Sequence, residues 1–146
     1  PHPGEYRRLA AALKLTADPV EPSCRPDAAT LLAQRLGCIV VLKGANTVVS
    51  DGQRTWLHKS STPSLATGGT GDVLAGIIGG IAAQHVRLGF RAHSPLSLYD
   101  AARIAVAAHA TAAERWQERT AASGGLLPQD LADELPAVIE SLRAAR

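Results

Sequence analysis

The sequence lacks methionine altogether and has few aromatic residues. Phenylalanine, tryptophan and tyrosine make up 3% of its 146 residues, and the net charge is only +2. The basic residues are scattered rather than clustered. Proteins that bind nucleic acids combine a basic patch with aromatic side chains on which bases stack, so no nucleic-acid-binding function is predicted. Because translation begins with methionine, we expect further residues to precede Pro1.

Cysteine and long apolar runs are also scarce. Cys24 and Cys38 are the only cysteines, and they lack the spacing of metal ligands, with or without the histidines. We therefore predict no metal site held by protein ligands, and reduced thiols in the cytoplasm. The longest apolar stretch, Val73–Ala83, is far shorter than the roughly 20 residues that a membrane-spanning helix needs. The composition indicates one cytoplasmic domain that binds neither membranes nor nucleic acids.

Glycine, by contrast, is abundant and is concentrated in Leu65–Gly80. Gly68, Gly69 and Gly71 precede an apolar run that can continue as a helix. Backbone N–H groups without side chains in the way can converge on a phosphate, and the positive end of the helix dipole adds to them. Asp72 follows these glycines and could act only as a helix cap. A cap does not require the surrounding glycines, whereas a group placed against a phosphate does.

Two common phosphate-binding motifs do not fit this stretch. A P-loop has Lys and then Ser or Thr after its last glycine, but this sequence has Asp72 and Val73 there. A dinucleotide-binding fingerprint needs a glycine at the position that Leu74 occupies. The remaining pattern, Gly-Thr-Gly-Asp, resembles the anion-hole loop of ribokinase-like kinases. In that superfamily the aspartate acts as a base toward a hydroxyl group while the loop amides hold the phosphoryl group being transferred.

The hydrophobic pattern predicts an α/β fold. The unbroken apolar run Cys38–Leu42 predicts a strand buried on both faces of a parallel sheet, and Asp51-Gly52 predicts a hairpin turn. Five helices are predicted: Glu5–Leu15, Asp27–Leu36, the residues after Asp72, Ser94–Arg119 and Pro128–Leu142. Gly37 is the predicted stop of the second helix, and Pro136 is expected to interrupt the last one.

The helix after Asp72 is apolar on nearly all sides, so we expect it in the domain interior. Gly76, Gly79 and Gly80 would allow another backbone to approach it closely. A strand buried on both faces also needs neighbouring strands, and the sequence does not supply enough of them. The expected architecture is a doubly wound sheet with helices on both faces, of which residues 1–146 form the C-terminal portion.

Three segments together resemble the NAD(P)H-hydrate dehydratases of the ribokinase-like superfamily. They are Pro-His-Pro-Gly-Glu at Pro1–Glu5, Lys-Gly-Ala-Asn-Thr at Lys43–Thr47 and Thr-Gly-Gly-Thr-Gly-Asp at Thr67–Asp72. Their order and approximate spacing match the family, and the similarity extends to Gly125–Leu131. Each segment alone has little specificity, whereas the ordered set is specific.

The resemblance implies an enzyme that repairs NADH or NADPH hydrated at C6 of the nicotinamide ring. ADP or ATP, with Mg²⁺, phosphorylates the added hydroxyl group, and phosphate then leaves to restore the double bond. The implied partners are this small-molecule substrate, further copies of the chain in a tetramer, and the N-terminal half of the same domain.

The matched positions also imply the site residues. His2 and Asp72 correspond to substrate contacts, and Asp72 is the implied catalytic base. Nucleotide binding is implied for Lys43, Gly44, Ala45, Asn46, Thr47 and Gly71. The implied anion hole consists of Gly68, Gly69, Thr70 and Gly71, and we expect the nucleotide between this loop and Lys43–Thr47.

Without the resemblance, several of these residues have simpler interpretations. His2 would be a turn residue, and Lys43 would be a strand-end lysine that points to solvent. The other histidines are interpreted as surface residues or as core residues with satisfied hydrogen bonds: His58, His85, His93 and His109.

Two other functions remain open at this stage. A ribokinase-like kinase for a sugar or vitamin would leave a stable phosphoester, although sugar kinases lack the Pro-His-Pro-Gly-Glu turn. A non-catalytic nucleotide-binding module would bind nucleotide without turnover, and the presence of Asp72 argues against it.

Overall fold

The computed structural model describes residues 1–59, 62–85 and 96–144. Contacts divide the chain into two units: unit 1 is Pro1–Ser61 with Leu98–Arg103, and unit 2 is Thr62–Ser97 with Ile104–Arg146. Three sequence predictions lie outside the described residues. They are the break before Ser94, the start of a helix at Ser94, and the interpretation of His93.

Unit 1 packs helices against a three-stranded antiparallel sheet of order β1-β2-β3. Its elements are α1 (Pro3–Leu13), α2 (Arg25–Leu36), β1 (Val40–Leu42), β2 (Thr47–Ser50) and β3 (Thr55–His58). Helix α2 contacts all three strands. The largest fully buried apolar side chains of this unit's core are Tyr6, Leu32, Leu42 and Val48.

Both helices of unit 1 begin earlier than the sequence predicts, because a proline occupies the first turn of each. Proline lacks an N–H group, and the first turn is the one place in a helix where that group has no partner anyway. Helix α1 ends at Lys14 in the left-handed conformation (φ 56°). Helix α2 ends at Gly37 (φ 62°), which confirms the predicted stop.

The predicted hairpin is confirmed, but the predicted parallel pairing is wrong for the described sheet. Val49 of β2 lies opposite Trp56 of β3, and Val41 of β1 lies opposite Val49 in antiparallel register. Only a short segment, 43–46, joins β1 to β2. A parallel pair would need a crossover of a dozen or more residues. Within the run only Val40 and Leu42 are buried, so burial on both faces is not seen in the described sheet. The unbroken apolar run carried no information on strand direction.

Unit 2 is helical in its described part. It contains a short 3-10 helix (Pro63–Ala66), α3 (Thr70–His85), most of α4 (Leu98–Thr120) and α5 (Pro128–Ala144). The buried apolar core is formed by Ala108, Ala112, Ala113, Trp116, Leu126, Leu131 and Val138. Among the described residues, no helix has both the length and the apolar character needed to cross a membrane.

Helix α3 is buried on one side only in this chain, so the interior position predicted for it in the whole domain stays a prediction. Thr70, Leu74 and Ile77 are its buried residues, whereas Gly76, Gly79 and Gly80 are exposed. A Cβ atom built on any of these three glycines would meet nothing within 4 Å. Unit 2 covers one side of the helix, and a uniformly apolar sequence cannot specify which side has a neighbour.

The interruption predicted at Pro136 is also absent, since α5 continues through it to Ala144. A proline removes one backbone hydrogen bond and crowds the preceding turn. Leu131 and Val138 lie on either side of Pro136 and are fully buried in the same core. Packing of both halves against that core holds the helix together.

We expect Asp51 to stabilise the hairpin in a pH-dependent way. Its carboxylate accepts N–H groups of Gln53 (3.0 Å) and Arg54 (2.6 Å) and the Arg54 side chain (2.8 Å). These hydrogen bonds lower the pKa of Asp51 to about 2, and the bond from the backbone N–H of Arg54 contributes most. A free aspartate has a pKa of about 3.9. The stability that the Asp51 carboxylate adds to the hairpin is therefore present above that pH and is lost as the pH falls toward about 2.

Asp51→Asn should therefore lower the unfolding free energy near neutral pH, and its difference from the wild type should shrink between about pH 4 and pH 2. Chemical denaturation of the full-length protein across this pH range measures the difference. A difference that stays constant with pH would contradict the proposed role of the carboxylate charge.

Candidate functional site

The glycine-rich loop leads directly into the first turn of α3. The N–H groups of Asp72 and Val73 donate to the Gly69 carbonyl at 3.0 and 3.2 Å, and that of Thr70 donates to Thr67 at 3.4 Å. Asp72 thus lies inside the helix, in its first turn, and its side chain is exposed.

The N–H groups of the loop glycines differ from those of Thr70, Asp72 and Val73, which all have acceptors. In the described part of the chain, those of Gly68, Gly69 and Gly71 have no hydrogen-bond acceptor. The beginning of a helix carries a partial positive charge in addition to such unpaired donors. These amides and the exposed Asp72 carboxylate therefore form a place where an anion could bind beside a base.

Gly68 and Gly69 are not equivalent in the structure. Gly69 has a φ of +89°, and a Cβ atom there would lie 2.7 Å from Cγ of Pro128, the first residue of α5. Gly68 lacks a positive φ, and a Cβ atom there would meet nothing within 4 Å. Packing and backbone conformation therefore require glycine at 69, whereas the space beside Gly68 is open to a ligand.

The buried Thr70 side chain is hydrogen-bonded to the backbone of the segment that precedes the glycines. Its side-chain oxygen lies 2.9 Å from the Leu65 carbonyl and 2.8 Å from that of Thr67, and the residue is buried. His109 of α4 is also buried, and its Nε2 atom lies 2.9 Å from the Thr70 carbonyl. A carbonyl can only accept, so Nε2 of His109 carries a proton. His109 is thus a core residue with a satisfied hydrogen bond, one of the two interpretations that the sequence allowed.

In unit 1, His2 caps α1 through its side chain. Its Nδ1 atom accepts the N–H groups of Gly4 (3.0 Å) and Glu5 (3.3 Å), and the Glu5 carboxylate accepts the His2 N–H in return (2.6 Å). This reciprocal arrangement is a capping box. Because Nδ1 is an acceptor, the neutral ring carries its proton on Nε2. This atom lies 3.7 Å from Oε1 of Glu5, beyond hydrogen-bond distance, and can donate to another group.

Glu5 links this turn to Lys43. Its carboxylate lies 3.7 Å from Nζ of Lys43, and the Lys43 N–H donates to the Pro1 carbonyl at 2.7 Å. The pKa of Glu5 is lowered from its ordinary value, mainly because its carboxylate accepts the His2 N–H and further because Lys43 is near. Lys43 is thus half-buried and paired, not simply pointing to solvent.

The segment Lys43–Thr47 is a turn between β1 and β2. Gly44 (φ +146°) and Asn46 (φ +61°) both have positive φ values. The Thr47 hydroxyl donates to the Gly44 carbonyl at 3.2 Å. The N–H groups of Gly44, Ala45 and Asn46 have no acceptor among the residues described. The turn therefore offers a second set of unpaired donors.

Arg25 supports this turn, and the sequence analysis missed it. Its guanidinium donates to the carbonyls of Leu42 at 3.0 Å, Lys43 at 3.3 Å and Asn46 at 3.3 Å. One signal could have revealed it: Arg25 lies three and seven positions before the buried Ala28 and Leu32. It is therefore an arginine on the apolar face of a helix.

The structure thus brings some predicted site residues together. His2, Glu5 and Lys43 lie within unit 1, as does the rest of the 43–47 turn. The anion loop and Asp72 lie within unit 2. The geometry of each set supports the predicted chemistry separately, and the expected nucleotide position between the two segments stays a prediction.

The described residues do not form a protein-held metal site. They include no group of three or more His, Cys, Asp or Glu side chains that could hold an ion. Both cysteines are free. Mg²⁺ usually binds through substrate phosphates, water and one or two carboxylates rather than through a full set of protein ligands. The residues present fit an ion that arrives on a nucleotide.

Comparisons with known proteins agree on one family. A sequence model described as NAD(P)H-hydrate dehydratase matches residues 1–137. An ADP-dependent (S)-NAD(P)H-hydrate dehydratase of Cenarchaeum symbiosum is 36% identical over 140 residues, which cover 96% of this chain and 43% of that protein. A bifunctional NAD(P)H-hydrate repair enzyme of Coxiella burnetii is also 36% identical, covering 95% of this chain and 26% of that protein.

Solved structures confirm the predicted ribokinase-like α/β fold. The ADP/ATP-dependent NAD(P)H-hydrate dehydratase from Bacillus subtilis, co-crystallized with ATP/Mg²⁺, matches with a TM-score of 0.79 and 31% identity over 97% of this chain and 46% of that one. A ribokinase-like superfamily protein from Enterococcus faecalis matches with a TM-score of 0.67 and 26% identity, over 97% of this chain and 43% of that one. The chain spans less than half the length of these relatives.

The two loop glycines allow a matched test of the geometry. Gly69→Ala should lower the unfolding free energy by about 2 kcal/mol or more, because alanine disfavours a positive φ and its Cβ would clash with Pro128. Gly68→Ala, the control, should change it by less than about 0.5 kcal/mol. Chemical denaturation of the full-length protein measures both, and equal losses would contradict the described loop geometry.

Proposed function

Because the chain belongs to the NAD(P)H-hydrate dehydratase family, we propose that the full-length protein uses ADP or ATP to dehydrate hydrated NADH or NADPH. The observation that carries this proposal is the start of α3. There the unpaired N–H groups of Gly68, Gly69 and Gly71 lie beside the exposed Asp72 carboxylate. Together they provide an anion site and a base on adjacent residues.

Asp72 acts in the first step. Its carboxylate accepts the proton of the C6 hydroxyl group, and the hydroxyl oxygen forms a bond to the terminal phosphorus of the nucleotide. The phosphorus–oxygen bond to the remaining nucleotide breaks. In the second step the C6–O bond breaks, phosphate leaves, and the neighbouring carbon loses a proton, which restores the ring double bond. A positioned base contributes roughly 10²–10⁴-fold to such a rate.

The glycine amides act on the phosphoryl group. Negative charge is spread over its oxygens during transfer, and donors that are already in place stabilise it without reorganisation. Gly68 is exposed, and its N–H has no acceptor among the described residues, so it is free to donate to a phosphoryl oxygen. The dipole of α3 adds to the same attraction.

Unit 1 supplies the other contacts in this proposal. Lys43–Thr47 binds the nucleotide through its unpaired N–H groups and the Lys43 ammonium group. His2 donates from Nε2 to an acceptor atom of the hydrated nicotinamide, since its Nδ1 is engaged in the α1 cap. Its orientation is thus set before the substrate arrives.

The phosphoryl donor in the proposal is ADP or ATP with Mg²⁺ on its phosphates. The printed names of relatives support this, since one is ADP-dependent and another was crystallized with ATP/Mg²⁺. When bound, Mg²⁺ neutralises part of the phosphate charge. The chain's own residues bind the nucleotide and accept the substrate proton.

Assembly and location are part of the same proposal. We propose that residues 1–146 form the C-terminal portion of one ribokinase-like domain and that the protein is a cytoplasmic homo-oligomer, a tetramer as in the family. The match to less than half of each solved relative supports the first point. The apolar exposed side of α3 is consistent with further protein against it.

Asp72→Asn tests the proposed base. Asparagine keeps the shape and can still hydrogen-bond a hydroxyl group, but it cannot take the proton. Turnover should fall on the order of 10²-fold or more. Nucleotide affinity should change little or increase, because a negative charge near phosphates is removed. Recovery of dihydronicotinamide absorbance from hydrated NADH measures turnover, and nucleotide titration measures affinity.

The outcomes of that test separate the possible roles. A near-normal rate would remove Asp72 from the mechanism and leave it as a helix cap, for which asparagine is nearly as good. Release of a stable phosphoester by the wild type, instead of free phosphate, would indicate a kinase.

His2 provides a second test, because its cap and its proposed substrate contact use different nitrogens. Asparagine is a good N-cap but has no group in place of Nε2, so His2→Asn should keep the stability of α1 and raise the KM for hydrated NADH. His2→Ala should raise KM similarly and also lower the unfolding free energy by about 1 kcal/mol. A wild-type KM in His2→Asn would make His2 a cap only.

A further inference from the structure

Arg25 is a buried cation that has no acidic partner among the residues the structure describes. The residue is 4% exposed, and within the described ranges its hydrogen bonds all go to backbone carbonyl groups. Burial lowers the pKa of Arg25 from its ordinary value, the direction expected for a cation removed from water. Such a group must be compensated by other polar atoms.

The compensating atoms come mainly from one turn. Nη2 of Arg25 contacts the carbonyls of Leu42 (3.0 Å), Lys43 (3.3 Å) and Asn46 (3.3 Å), and Nε contacts Asn46 again at 3.4 Å. Nη1 donates to the Pro19 carbonyl. One guanidinium therefore holds the end of β1, both sides of the following turn, and the loop before α2.

These contacts determine which way the Gly44 N–H group faces. The carbonyl and N–H of one peptide unit point in opposite directions because the unit is planar and trans. When Arg25 attracts the Lys43 carbonyl, the N–H of the same peptide unit, which belongs to Gly44, must point away from the guanidinium. That N–H group has no acceptor among the described residues.

Gly44 gives independent evidence that the guanidinium and the turn fit closely. A Cβ atom at position 44 would lie 3.1 Å from Nη2 of Arg25, and the residue has a φ of +146°. A side chain at position 44 would therefore press against the guanidinium, and the positive φ would strain it as well. Arginine suits this place because its rigid, planar fork can reach several carbonyls at once, which a lysine ammonium cannot reproduce.

We propose that Arg25 is the positioning residue for nucleotide binding. Its guanidinium holds Lys43–Thr47 in the conformation whose N–H groups face the nucleotide, although it does not contact the nucleotide itself. This inference rests on the proposed function for the nucleotide and goes beyond it in naming what shapes the site.

Arg25→Lys and Arg25→Met in the full-length protein test the inference. Lysine keeps the charge and loses the fork, whereas methionine loses both. Arg35→Lys and Arg35→Met are matched controls, because Arg35 lies exposed in the last turn of the same helix. The first measurement is amide hydrogen exchange without nucleotide at Lys43, whose N–H donates to the Pro1 carbonyl. The second is steady-state kinetics with ADP and ATP as varied substrates.

In Arg25→Lys we expect exchange of the Lys43 N–H, which donates to the Pro1 carbonyl, to rise about 10-fold or more, since the hydrogen bonds from a charged donor that hold the turn are lost. The KM for nucleotide should rise by a similar factor while kcat changes less than about threefold, because the chemistry at Asp72 is untouched. Both Arg35 variants should behave as the wild type. Arg25→Met should show the larger effect, and if it does not fold, Arg25→Lys carries the test.

Wild-type exchange and wild-type KM in Arg25→Lys would overturn the inference. So would a loss of kcat with unchanged nucleotide KM, which would indicate a general structural role. If the wild-type protein binds neither nucleotide, the proposed function fails. The exchange measurement then still shows whether Arg25 holds the turn.

Discussion

Every helix begins with N–H groups that have no partner inside the helix, and α1 and α3 treat them in opposite ways. At the start of α1, His2 and Glu5 satisfy these donors with a complete capping box. At the start of α3, glycines leave donors unpaired next to the exposed Asp72. The first arrangement fixes a side chain, and the second leaves a site for an anion. In the proposed reaction both are needed, because one orients the substrate contact and the other holds the phosphoryl group.

Lys43 lies where several supporting interactions meet. Its N–H donates to Pro1, its carbonyl accepts from Arg25, and its ammonium group lies near Glu5. The turn after β1 is therefore held by side chains from α1 and α2 rather than by its own sequence. Rigid supports of this kind reduce the ordering that a ligand must impose on binding. They also explain why a turn with two positive φ values is stable.

The glycines of this chain serve two different purposes. Gly44 and Gly69 have positive φ values, and a Cβ atom would press against Arg25 at the first and clash with Pro128 at the second. Gly68, Gly76 and Gly79 have open space around them. A glycine inside a helix costs stability relative to alanine. Gly76 and Gly79 lie inside α3 and carry this cost, whereas Gly68 precedes the helix, and in our proposal an anion occupies the space beside it.

The sequence alone determined the local features, because these depend on neighbours in the chain. It predicted the hairpin at Asp51-Gly52, the stop at Gly37 and the glycine loop before α3. Each follows from turn chemistry or backbone freedom. The ordered motifs also identified the family, since their residues and spacing are read directly from the chain.

Tertiary structure decided what depends on residues far apart in the chain. The pairing direction of β1, the exposed side of α3 and the continuity of α5 at Pro136 each follow from which neighbour packs there. Arg25 shows this most clearly. Its carbonyl partners lie up to 21 positions away, so nothing in the sequence beside it shows that the charge is buried or what compensates it. Only the fold brings those carbonyl groups around the guanidinium.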